Sequence, residues 1–176
     1  LPYLPADTIP EDVVKNISGQ VKSLQVAGER VGQELIYHGQ VELEQGKCTL
    51  LSHEVENIQA LATLNEKEAR IFARAETQGQ QASVHGRIIL TSGTPELDLQ
   101  AESEGFEPAV IVENIPYTGA VKFAAHITGA ADNPRVDAHL QVPQGAVQGI
   151  DFSNLTAQVS YADSMVVIQQ AKAQAA

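Results

Sequence analysis

The chain of 176 residues has no tryptophan, one cysteine, four phenylalanines and four tyrosines. A single cysteine, Cys48, cannot form an intramolecular disulfide, which fits a reducing compartment or a periplasmic protein without disulfides. No apolar run reaches the 18 residues that a membrane-spanning helix needs. The apolar content is therefore aliphatic and small, mainly Val, Ile, Leu and Ala.

Basic residues are also scarce, because 11 Lys and Arg face 22 Asp and Glu and leave a formal charge of -11. An acidic chain is repelled by phosphate backbones, so nucleic acid is excluded as a partner. Anionic membrane surfaces are disfavoured for the same reason. With these partners set aside, we interpret the negative charge as a source of solubility.

The chain has no motif for catalysis, for a metal or for a cofactor. His38, His85, His126 and His139 are isolated and have none of the spacings of a zinc site. No serine lies in a nucleophile elbow, Cys48 has no evident base, and no glycine-rich phosphate loop precedes a helix. The sequence therefore predicts a protein that is not an enzyme, with no catalytic residue, no metal and no cofactor.

The first residues contain the only helical signal. Prolines at 2, 5 and 10 exclude a central strand there, while Thr8 suits a helix cap and Gly19 a helix end. We expect a linker with one short helix in residues 1–19, followed by a repetitive β region in residues 20–176. The chain has no signal peptide and ends in the middle of its pattern, so we expect a segment of a longer protein.

After Gly19 apolar and polar residues alternate with a period of two, which is typical of strands with one buried face. About ten such runs predict an all-β, antiparallel fold. We expect the following residues on its apolar face: Leu35, Tyr37, Val41, Leu43, Ile58, Leu64, Ile71, Val84, Ile88, Leu90, Leu97, Leu99, Val121, Phe123, Ile127, Val136, Leu140, Val142, Leu155, Val159, Tyr161, Val166 and Ile168.

The sequence also repeats itself weakly. With an offset of 152 − 55 = 97 residues, Asn57 aligns with Asn154, Ile58 with Leu155, and an acidic turn is retained. A second repeated feature is a proline immediately before an alternating run, which occurs at Pro95 and at Pro134. Duplication and the general similarity of amphipathic hairpins both account for this.

A sheet with one apolar face has to cover it. Each Val, Leu or Ile removed from water contributes about 1.5–3 kcal/mol, so the face either closes into a packed sandwich core or lines a groove for an apolar ligand. In such a groove an acyl chain gains about 0.8 kcal/mol per buried methylene. Alternation alone leaves both possibilities open.

Residues 127–168 show a further pattern: Gly129, the turn at Asn133 and Pro134, a strand from Val136, Gln-Gly hairpins at Gly145 and Gly149, the run from Phe152 to Leu155, and a strand that ends in Tyr161. This pattern resembles the repeat of the AsmA-like family of diderm bacteria, to which the TamB-type component of the translocation and assembly module belongs. The resemblance covers most of the chain from Gly19 and is weakest in residues 1–18.

The resemblance implies an elongated sheet curled into a taco-like trough, with its apolar face inside. It implies a periplasmic protein that is anchored in the inner membrane and conducts phospholipids to the outer membrane, with acyl chains as partners. An outer-membrane barrel protein would be contacted through regions outside this chain. Two alternatives are a scaffold that guides outer-membrane proteins during insertion, and a structural β-sandwich or solenoid stalk of a surface protein.

Overall fold

The computed structural model describes residues 14–32, 34–50, 53–77, 79–107 and 117–175. These residues form eleven β-strands and no helix. The strands are β1 (Val14–Val31), β2 (Glu34–Leu50), β3 (His53–Leu64), β4 (Glu68–Thr77), β5 (Gln80–Ile89), β6 (Glu96–Phe106), β7 (Tyr117–Thr118), β8 (Val121–Ala130), β9 (Arg135–Val147), β10 (Ile150–Ala162) and β11 (Met165–Ala175).

The described strands belong to a single open antiparallel sheet. Their spatial order is β1-β2-β3-β4-β5-β6-β8-β9-β10-β11, and β7 pairs with the end of β9. Neighbours in the sheet are thus nearly always neighbours in sequence, and β1 and β11 form its edges. The prediction of an all-β antiparallel fold is confirmed.

The helix predicted within residues 1–19 is wrong from Val14 onward, because residues 14–19 begin β1. Residues 1–13, which contain Thr8 and the prolines, lie outside the described residues. β1 pairs with β2 over its whole length, from Val14 opposite Leu50 to Val31 opposite Glu34. This pairing satisfies the backbone polar groups on one side of β1. It outweighs a helix signal that consisted of capping residues and of three apolar residues, Val13, Val14 and Ile17, on one side.

The two prolines that the sequence repeats before alternating runs lie directly before strands, Pro95 before β6 and Pro134 before β9. The turns that contain them are joined, because the amide of Ala131 donates to the carbonyl oxygen of Pro95 over 2.9 Å. The Thr94 hydroxyl also donates to Asp132 over 3.2 Å. The proline positions therefore hold one end of the sheet together where β6 and β8 pair.

The opposite end of the sheet contains a series of bulges. Asn16, Gln45, Asn57 and Asn154 have φ between 51° and 53°, and each lies where the pairing of its strand with a neighbour shifts register. A bulge bends its strand and increases the local twist. Asparagine tolerates this left-handed backbone better than most residues. Four strands of the sheet therefore carry a bulge at this end.

Two of the bulges lie at equivalent positions of the weak sequence repeat. Asn57 in β3 and Asn154 in β10 occupy equivalent places, and hairpins β3–β4 and β10–β11 follow them.

The Gln-Gly pair at Gly149 is a turn, but Gly145 lies inside β9, so the hairpin expected there is wrong. Gly145 is opposite Phe152, where a Cβ atom would lie 2.7 Å from the ring. Close approach, and not a turn, explains this glycine.

The described strands form one layer. Extensive strand–strand contacts within this part of the chain are all between neighbours in the sheet. The accessible surface is 12107 Å², whereas a compact protein of 18.8 kDa exposes about 8,300 Å². No large side chain among the described residues is less than 2 % exposed. The packed sandwich core that alternation left open is therefore not formed by these residues.

Candidate functional site

The pairing register places the predicted apolar residues side by side. Residues directly opposite each other in an antiparallel sheet point to the same face. One unbroken row of such partners crosses the sheet from β1 to β11: Leu24, Val41, Ala62, Ile71, Gly86, Leu99, Ile127, Val136, Tyr161 and Val166. We call the face that contains this row the apolar face.

A second row crosses the same strands two residues further along: Val21, Leu43, Ala60, Ala73, Val84, Ala101, Ala125, Ala138, Val159 and Ile168. From β3 to β9 it consists of alanines apart from Val84. The row beyond it is mixed: Phe123 is opposite Leu140 in β8 and β9, but β4 to β6 contribute Ala75, Ala82 and Ser103. We call the stretch from Ala60 to Ala138 the alanine lane. On its other side it is bordered by the first row, whose larger side chains include Ile71, Leu99 and Ile127.

The other predicted residues form shorter rows and pairs beside these two, and Leu90 lies outside the strands. Leu64, Ile88 and Leu97 form a row at the proline end, with Ala69 between the first two. At the bulged end Leu140 is opposite Ala157, Val142 is opposite Leu155, Ile58 is opposite Gly46, and Val121 is opposite Phe106. In the hairpin of β1 and β2, Tyr37 pairs with Gly28 and the backbone of Leu35 with Arg30. Leu90 lies just after β5, where its amide donates to the carbonyl oxygen of Lys67.

Burial on this face decreases towards the edges of the sheet. In the central strands Val142 is 2 % exposed and Leu99 is 9 % exposed. At the edges Val26 of β1 is 70 % exposed and Ile168 of β11 is 65 % exposed. Within the described part of the chain these residues are shielded by neighbouring strands, because no second layer is present there. The edge residues lack one neighbour and keep most of their surface in water.

The sequence reasoning missed the residues that β1 contributes. Val21 and Leu24 belong to the two long rows although they are three residues apart, because the register shifts between Val21 and Ser23. A shift of one residue hides the period of two that identified the other strands. The buried Val55 was missed as well. An apolar spacing of three inside an otherwise alternating run is the signal that points to such a bulge.

The opposite face, which we call the polar face, is crossed by exposed ion pairs. Lys22 contacts Glu44 at 2.7 Å and Glu42 at 2.9 Å, and these carboxylates raise the pKa of the lysine. Asp98 accepts from His126 at 2.9 Å and from Arg87 at 3.0 Å. These two bonds hold the pKa of the Asp98 carboxyl below its ordinary value. Such pairs contribute little to stability because water screens them.

Two shallow depressions of about 490 and 420 Å³ also lie on the polar face. The first surrounds Ala124, whose small side chain lies between His126 and His139, and the second is bordered by His38, Thr63 and Arg70. Both are gaps between polar side chains of a sheet surface. The apolar face is instead a broad, open surface, and we therefore take it as the candidate site.

The described residues include few side chains placed to act as a nucleophile or to bind a metal ion. Burial raises the pKa of the Cys48 thiol, which makes it a weaker nucleophile. In the described part of the chain no three His, Cys, Asp or Glu side chains are placed to hold a metal ion. No helix of the described residues is long and apolar enough to cross a bilayer.

The chain matches no protein-family model, no curated protein and no solved structure. The AsmA-like resemblance therefore depends on the quoted sequence motifs alone.

Proposed function

We propose that this chain is a segment of an AsmA-like envelope protein whose apolar face binds phospholipid acyl chains and conducts them through the periplasm to the outer membrane. The observation behind the proposal is the pair of unbroken apolar rows that cross the sheet from β1 to β11. Nothing from the described residues covers them. An apolar surface of this extent on a single sheet marks a binding site.

The dimensions of the alanine lane support this ligand. It crosses six strands, and five spacings of about 4.8 Å give a length of roughly 24 Å. One leaflet of a bilayer is about 15 Å of hydrocarbon, half of the usual core. An acyl chain can thus lie across the strands with its methylenes against the alanines and against the larger side chains of the first row. Each methylene removed from water contributes about 0.8 kcal/mol.

The bulges supply a way to enclose the ligand. Asn16, Gln45, Asn57 and Asn154 bend their strands at the same end of the sheet. In the proposal this bend turns the sheet towards its apolar face and produces the taco-like trough. The polar face, with its exposed ion pairs, then forms the outer wall in the periplasm.

Photo-crosslinking in cells tests the proposal. A photo-reactive amino acid replaces Leu140 or Phe123 on the apolar face, and its matched control replaces Gln141 or Lys122, the next residue of the same strand on the polar face. We expect phospholipid adducts at Leu140 and Phe123 and none at the controls. Equal labelling on both faces, or no lipid at any position, contradicts the proposal.

A second candidate is a scaffold for the strands of outer-membrane proteins during insertion. The observation that favours it is the pair of open edges, where β1 exposes Leu24 and Val26 and β11 exposes Val166 and Ile168. An unpaired edge can bind another strand through its backbone. This function predicts crosslinks from these edge residues to unfolded barrel proteins, with no lipid adducts at Leu140.

A structural stalk is the third possibility raised by the sequence. It requires a filled core, whereas the described residues form one open sheet. A phospholipid adduct at Leu140 would rule it out.

A further inference from the structure

The alanine lane contains one residue that is larger than alanine. Val84 of β5 lies between Ala73 and Ala101 in the pairing register. Its neighbours on the same face of its own strand are Ala82 and Gly86, two residues away on either side. All four nearest positions on the apolar face are therefore alanine or glycine, so the half-buried valine side chain projects above its surroundings.

Val84 blocks the straight path of an acyl chain along the lane. A chain that lies on Ala60 and Ala73 meets the valine methyl groups after two strand spacings, about 10 Å from Ala60. Three further spacings, about 14 Å, separate Val84 from Ala138 at the other end. We call these two stretches the short arm and the long arm of the lane. A straight chain that touches alanines in both arms is thus lifted off the sheet at Val84.

The rows on either side of the lane offer no straight path of small residues. In the first row the larger side chains of Ile71, Leu99 and Ile127 lie beside the lane. In the row on the other side, which we call the third row, Phe123 and Leu140 lie beside the long arm. A chain of uniform direction therefore meets a bulky side chain in each of the three rows.

Small residues leave a way round Val84 on one side. The third row contributes Ala75, Ala82 and Ser103 where it crosses β4, β5 and β6, and we call these three residues the shelf. The Ser103 hydroxyl donates to the backbone carbonyl oxygen of Gln81 at 2.7 Å, so this buried polar group is satisfied inside the protein. A chain that bends once can leave the short arm, cross the shelf and return to the long arm before the bulky part of the third row.

We propose that Val84 makes the apolar face selective for acyl chains that carry a cis double bond near their midpoint. This selectivity rests on the proposed function, since it requires acyl chains in the alanine lane. To pass between Val84 and Ala82 the chain moves sideways by about half of the 6.8 Å between alternate residues of a strand. The midpoint of a chain that spans one leaflet, about 15 Å of hydrocarbon, lies roughly 8 Å from its start. Val84 is about 10 Å from the start of the lane, so the bend and the valine coincide.

A straight chain binds the same lane with fewer contacts. A saturated chain has to give up its extended conformation to bend, and a trans double bond holds the chain straight where the lane turns. A cis double bond already fixes the bend, so no conformational freedom is lost to form it. We expect the difference to equal about one methylene out of contact, which is about fourfold in affinity.

Calorimetric titration of the purified chain with two lysophosphatidylcholines tests the proposal. One carries an oleoyl chain, and the other carries an elaidoyl chain, which has the same carbons and the same double bond in trans instead of cis. Both are used below the concentration at which they form micelles. We expect the parent to bind the oleoyl lipid about fourfold more tightly, and Val84→Ala to bind both with less than about a twofold difference. The change should come from tighter binding of the elaidoyl lipid, because loss of the methyl groups straightens the lane.

Two variants serve as controls. Val159→Ala removes the same groups from the same row, but Val159 lies on β10, one strand beyond the end of the lane at Ala138. Val84→Thr keeps the branched shape of the side chain. Both variants should keep the preference of the parent for the oleoyl lipid. A thermal melt of each variant verifies that the fold is kept.

Equal binding of the two lipids by the parent would overturn the proposal and leave the proposed function standing. A preference that survives Val84→Ala, or that Val159→Ala removes to the same extent, would also overturn it, because the selectivity would then not come from Val84. Failure of the parent to bind either lipid overturns it as well. In that case the crosslinking at Leu140 in cells shows separately whether the proposed function fails with it.

Discussion

Gly86 of β5 lies against the backbone of Asp98 of β6 so closely that a Cβ atom on Gly86 would be 2.2 Å from the Asp98 carbonyl oxygen. Its φ of 144° is also one that other residues rarely adopt. Gly86 is the only glycine in the first long row, between Ile71 and Leu99. The close approach of β5 and β6 in the middle of the apolar face therefore depends on this glycine.

We expect Gly86→Ala to lower the free energy of unfolding by about 3 kcal/mol or more. The reason is that moving the β6 backbone away from the new methyl group costs free energy. Gly39→Ala is the matched control, since it lies on the same face in β2 and its nearest neighbour, Leu64, would be 3.8 Å away. Alanine there should be neutral or stabilise by up to about 1 kcal/mol. Urea unfolding of both variants measures this, and equal losses would contradict the close approach.

The bulge at Asn57 gives a second prediction. Its φ of 52° is strained for a β-branched residue, so Asn57→Val should cost about 1–2 kcal/mol, while Asn57→Gly should stay within about 1 kcal/mol of the parent. Gln59→Val, two residues along the same strand, should change stability by less than about 0.5 kcal/mol. Urea unfolding compares the three. Asn57→Val as stable as the parent would show that the bulge is not needed.

Asp98 makes stability depend on pH. Hydrogen bonds from His126 and Arg87 lower the pKa of Asp98 in the folded chain, so its contribution is present above the ordinary value of about 4. This contribution is lost as the pH falls from there through the folded-state value. We expect Asp98→Asn to reduce stability at pH 7 and to lose this effect near pH 2. Unfolding of Asp151→Asn, an exposed aspartate of β10, provides the control at both pH values. A deficit of Asp98→Asn that is the same at both would contradict the assignment.

A charge on the apolar face distinguishes an open surface from a filled core. Ile127 is half-buried, with Leu99 and Val136 as its direct partners in the sheet. On an open face the carboxylate of Ile127→Asp stays hydrated, so we expect a loss of about 1–2 kcal/mol together with loss of the phospholipid adduct at Phe123. Thr128→Asp, the next residue on β8, should retain the adduct. A loss above about 4 kcal/mol for Ile127→Asp would indicate a packed interior.

Much of the fold could be read from alternation. Val136, Ala138, Leu140 and Val142 repeat every second residue, and that period fixes which face of β9 is apolar whatever the neighbours are. Pro95 and Pro134 mark the starts of strands because their missing N–H groups are harmless there. The residues around Val21 could not be read in the same way, because a bulge changes the period where the strand pairs irregularly. The helix signal near Thr8 failed from Val14 because capping preference is weak beside a full strand partner.

The sequence by itself determined that this protein is an all-β chain with one aliphatic face and one polar face, because the direction of side chains along a strand depends only on local spacing. Tertiary structure alone decided which residues on different strands are partners, since register depends on turns and bulges distributed over the whole chain. That register joins Leu24 to Val166 in one apolar row, which no second layer of the described residues covers. It also places Arg70 opposite Arg87 on the polar face, although nothing in their sequence spacing indicates that the two arginines are partners.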